Sequence, residues 1–124
     1  MRKTSVIAAM LLLSSVALAV SAKDSVKLDG YVVDNACATA HAKDANVADT
    51  VKNHPTSCAL MPNCAKSGYA VLADGKLYKL DEAGNKQVAA LLKKTKSKNG
   101  LHVAVEGTVE GDTLHATKIS EAKM

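Results

Sequence analysis

Polar and apolar residues alternate in three stretches of this chain, and in one they recur at helical spacing. Val26, Leu28, Gly30 and Val32 share one face of an extended run from Val26 to Asp34; Lys27, Asp29, Tyr31 and Val33 share the other. Gly30 inside that run suggests a bulge or a tight bend. Tyr69–Ala73 and Lys76–Leu80 flank Asp74-Gly75, the signature of a hairpin whose turn needs positive φ at both central residues. From Asn85 to Lys96 the period changes: Val88, Leu91, Leu92 and Thr95 fall on one helical face. Asn85 is the expected cap, and Asn99-Gly100 the stop. Leu101, Val103, Val105, Gly107 and Val109 then alternate with His102, Ala104, Glu106 and Thr108. Gly111-Asp112 turns the chain into a last strand, Thr113–Ser120. A parity change between Ala116 and Ile119 predicts a bulge there.

Between the first two strands the pattern is lost. Residues 36–66 are rich in alanine and hold all three cysteines, both prolines, His41 and His54. A helix from about Ala40 to Lys52, stopped before Pro55, is the expectation within this insertion. The order is strand, insertion, strand, strand, helix, strand, strand. It predicts a mainly β fold: a small five-stranded OB-like barrel with a helix between strands 3 and 4 and a Cys-rich, partly helical insertion after strand 1. An open sheet packed on the single helix is the competing architecture.

Residues 1–22 read as a secretory signal: Arg2 and Lys3, an apolar run from Val6 to Val20, and small residues at Ala17-Leu18-Ala19 and Val20-Ser21-Ala22. Cleavage after Ala22 leaves residues 23–124 as one domain and implies a periplasmic or secreted protein with no membrane span. The formal charge of +4 falls to +2 when Arg2 and Lys3 leave, with 14 basic residues against 12 acidic. That balance does not call for nucleic acid. Neither does the aromatic content, which is Tyr31, Tyr69 and Tyr78 alone.

The candidate chemistry lies in the insertion. Cys37, Cys58 and Cys64 form an odd set in a chain expected in an oxidising compartment, so one internal disulfide leaves a thiol over. No Cys-x-x-Cys pair, haem-attachment motif or standard zinc-finger spacing is present. Two readings compete. In the first, Cys37 bridges Cys58 or Cys64 and staples the insertion, an effect of about 3 kcal/mol. The protein is then an exported, non-catalytic binding or structural module, its partner an unknown envelope protein. In the second, Cys37, Cys58 and Cys64 ligate copper or zinc, with His54, Met61 or His41 completing the site. The two conflict, because a disulfide consumes thiolates that the metal needs. No nucleophile–base motif or cofactor fingerprint supports an enzyme.

Asp34 precedes the cysteine segment, where it could cap the next turn or orient a ligand. His102 and His115 could oppose each other in the last hairpin. Lys93, Lys94, Lys96 and Lys98 read as a solvated helix end, with an acidic partner as the alternative.

Gly30-Tyr31-Val32-Val33-Asp34-Asn35-Ala36-Cys37, then His54, Cys58 and Cys64, then Gly68 and the hairpin from Asp74 to Leu80, resemble small exported bacterial proteins of uncharacterised function. The resemblance covers nearly all of residues 23–124. It implies an extracytoplasmic OB-like barrel with a cysteine cluster and brings no activity with it.

Overall fold

The computed structural model describes residues 25–122. The expected signal and its cleavage site lie outside the described residues. Five strands close into a barrel: β1 (Ser25–Asp34), β2 (Tyr69–Ala73), β3 (Lys76–Leu80), β4 (His102–Glu110) and β5 (Thr113–Glu121). The order around the barrel is β1-β2-β3-β5-β4. Neighbours are antiparallel except β3 and β5, whose parallel contact at Lys79↔Thr113 and Leu80↔Leu114 completes the wall.

β1 serves both sides of the closure. Ser25–Tyr31 pairs with β4, and Tyr31–Asp34 pairs with β2. Gly30 sits at the changeover. A Cβ there would run into the Leu72 carbonyl, so the glycine marks a close approach of β1 to β2. The two hairpins follow the expected turns: Asp74 and Gly75 both have positive φ, 49° and 76°. The register of β4 and β5 slips between Glu106↔Lys118 and Gly107↔Ala116, so Thr117 is the extra residue of the expected bulge. Past Leu114 the outer edge of β5 has no strand partner among the described residues, and the Ile119 amide donates to Gln87 Oε1 at 2.9 Å.

Helix α5 (Glu82–Lys94) lies between β3 and β4 and sends Val88 and Leu92 into the barrel core with Val71, Val103, Val105 and Leu114. It begins earlier than its apolar spacing suggests. Asp81, not Asn85, is the cap, accepting the Gly84 amide at 2.9 Å; Asn85 Oδ1 instead accepts the Tyr69 amide. The helix ends at Lys94, because Thr95 turns extended, well before Gly100.

The insertion also departs from expectation. In place of one helix from Ala40 to Lys52 there are two, α1 (Asn35–His41) and α2 (Val47–Lys52), followed by short α3 (Thr56–Ala59) and α4 (Pro62–Ser67). Asp34 starts α1 at once by capping it, and residues 42–46 break the run. Ala38 and Val51 pack on Val33, Ala70 and Leu72, forming a second small core. This explains why β2 is buried along its whole length. One of its faces lines the barrel, and the insertion covers the other.

Candidate metal centre

Each candidate ligand arrives on a different element. Asp34 ends β1 with its side chain fully buried. Its Oδ2 accepts the Cys37 amide at 2.9 Å, which makes Cys37 the third residue of α1 and fixes its place. Its Oδ1 lies 2.9 Å from His54 Nε2. The carboxylate therefore caps a helix and orients a histidine together.

His54 follows α2 and is 9% exposed. Its backbone is pinned on both sides: its amide donates to the Val51 carbonyl, and its carbonyl accepts the Gly100 amide at 2.8 Å. Gly100 has a φ of 65°, and a Cβ on it would collide with the Lys52 carbonyl. Here only glycine fits, and its role is to let the 96–100 segment close against the His54 loop. Thr56 strengthens the seam by donating from its amide and hydroxyl to the Lys98 carbonyl and from its hydroxyl to Ser97. Cys58 is carried on α3 and Cys64 on α4.

The Cys37 and Cys58 sulfurs and a ring nitrogen of His54 all lie within 4.8 Å of one another. Cys64, on α4, is not one of these three, but it is near enough for Cys58 and Asp34 to act on its thiol. All three cysteines are half-buried free thiols. Burial pushes the Cys37 thiol up to about 11, helped by the Asp34 carboxylate and then by Cys58 and Cys64. The Cys64 thiol is also raised, by burial first, then by Asp34 and Cys58. As thiolates these groups would crowd negative charge beside Asp34, and a cation would relieve it.

Four sequence candidates are placed elsewhere. Met61 caps α4 and is 55% exposed. His41 pairs with Asp44 at 2.6 Å on the surface. His102 and His115 do not oppose each other: His115 faces Thr108 across the hairpin and meets Asp81 and Glu110, whereas His102 stacks on Tyr31 with ring centroids 4.7 Å apart. The contact between Asp34 and His54, twenty residues apart, has no local sequence signal beyond the position of Asp34 beside the cysteine segment.

A tetrahedral ion with bonds of ~2.3 Å holds its sulfurs about 3.8 Å apart, so closure of Cys37 and Cys58 on a metal asks for movements on the order of 1 Å. An ionised carboxylate only accepts, so when Nε2–H is donated to Asp34 a neutral His54 ring keeps its lone pair on Nδ1. The same thiols, oxidised, could instead form one disulfide. No helix of the described residues is long and apolar enough to cross a membrane. No family model, curated protein or solved structure matches the chain, so its function is read from the chemistry of the site.

Proposed function

We propose that this protein is a non-catalytic binder of a soft metal ion, exported to the periplasm or beyond. The observation that carries the reading is the convergence of Cys37, His54 and Cys58 within 4.8 Å from three separate elements. Cys64, outside that group of three, is the proposed fourth donor and would move in on binding. Three thiolates and one imidazole are a closed, four-coordinate set of the kind that holds structural zinc; the thiolates alone suit Cu(I). Asp34 supports the reading further, because a buried carboxylate bonded to one ring nitrogen of a histidine orients the ring and leaves the lone pair of the other nitrogen for an ion. Met61, being exposed, is left out of the set.

The competing reading is the disulfide-stapled module with an envelope partner. It rests on the Cys37 and Cys58 sulfurs, which lie within 4.8 Å of each other. That reading gives the Asp34–His54 pair no role, so we rank it second. Thiol counting on the isolated protein separates the two. Three alkylatable thiols, protected by added zinc or copper, support the metal site. One alkylatable thiol and a mass lower by two protons support the disulfide.

A further inference from the structure

A groove of about 620 Å³ opens between the end of α2, the end of α5 and the start of β4, away from the cysteine cluster. Lys52, Lys94 and Lys96 line it. Among the described residues, none of these lysines forms an ion pair. Glu121 is the one carboxylate in the wall, and it is already engaged: its Oε1 accepts the Thr95 hydroxyl at 2.7 Å and lies 3.5 Å from the Ser97 hydroxyl. Three cations thus face one committed anion.

The wall between them is built rather than incidental. Tyr31 and His102 stack at 17° between ring planes, and Lys52 Nζ lies 5.8 Å from the centre of the Tyr31 ring. The His102 Nδ1 is shut off from solvent with no hydrogen-bond partner. A buried ring nitrogen left unpaired is uncommon and marks hydrogen-bonding capacity that the fold itself does not use. Asn99 adds an exposed side-chain amide at the rim.

We propose that this groove binds a small oxyanion carrying two or more negative charges. Several charges are needed because the three lysines approach from two helix ends and the segment after α5. A groove of this volume takes a molecule of metabolite size. Phosphoryl and carboxylate groups share the chemistry, and either could supply the charges. The inference does not rest on the metal reading, since the groove shares no ligand with the cysteine cluster.

The test is a titration of the isotope-labelled protein at low salt, read by amide and imidazole chemical shifts. Pyrophosphate and citrate are the two probes, one for each source of charge. Saturable shifts centred on Tyr31, Gly100 and His102 are expected with at least one probe, and the probe that binds more tightly identifies the source. The double variant Lys94→Gln/Lys96→Gln should bind about tenfold more weakly. Lys66→Gln/Lys118→Gln, exposed lysines outside the groove, should bind as the parent does. Non-saturating shifts spread over all lysines, or equal affinity in the two double variants, would overturn the proposal. All four positions are exposed, and an unchanged spectrum in the absence of probe shows that each variant folds.

Discussion

Asp34 holds His54 from inside the protein: the carboxylate is fully buried, and its Oδ1 lies 2.9 Å from the imidazole Nε2. The other oxygen of the same carboxylate caps the helix that carries Cys37. One side chain therefore sets the position of two proposed ligands, and it does so at the seam between barrel and insertion.

Asp34→Asn separates these roles. Asparagine keeps the shape and can still cap α1, but it removes the charge that favours the donating Nε2–H. Affinity for zinc is expected to fall about 10- to 100-fold, measured by competition with a chelator. Asp34→Ala removes cap and partner together and is expected to cost about 2–4 kcal/mol in urea denaturation of the metal-free protein.

The raised thiol of Cys37 gives a pH signature in the metal-free, reduced protein. The folded state holds its proton up to about 11, while an ordinary thiol releases it near the reference value of 9.0. Between those values the folded state binds more protons than the unfolded one, so stability is full below pH 9 and falls as pH rises toward 11. Denaturation midpoints at pH 8 and pH 10.5 check the sign. Alkylation of Cys37 should likewise be slow at pH 8 and rise steeply above pH 10, because the thiolate is the nucleophile.

Gly100→Ala tests the seam. The residue has positive φ, and its new Cβ meets the Lys52 carbonyl. A loss of more than ~1 kcal/mol is expected, with faster hydrogen exchange at the Thr56 amide than elsewhere. Equal stability would show that the His54 loop does not depend on this contact.

Val51→Ala tests whether the insertion is docked through its own small core. Val51 is 1% exposed and packs with Val33, Ala38, Ala70 and Leu72. The expected cost is about 2 kcal/mol, with protection lost in α1 and α2 before it is lost in the barrel.

The barrel was legible because its signals are local. Asp74-Gly75 between two apolar runs, strict alternation from Leu101 to Val109, and the parity change before Ile119 each report on a few neighbouring residues. The start of α5 was obscured because Gly84 interrupts its first turn; the capping role of Asp81 then outweighs that glycine. The insertion was harder to read. Alanine shows no clear apolar face, so the break at 42–46 left no mark in the periodicity. Cysteine and histidine types pointed to the right segment, but their convergence depends on contacts across long stretches of chain, such as Asp34 with His54 and Gly100 with the His54 carbonyl. Met61 matched the chemistry and not the placement, since its side chain is exposed.

Native mass spectrometry of the reduced protein with one equivalent of Zn(II) or Cu(I) tests the metal site most directly. One bound ion is expected, retained against a chelator, and lost in Cys58→Ser and weakened in His54→Gln. Absence of any bound ion in the reduced protein, or equal retention in these variants, would contradict the account.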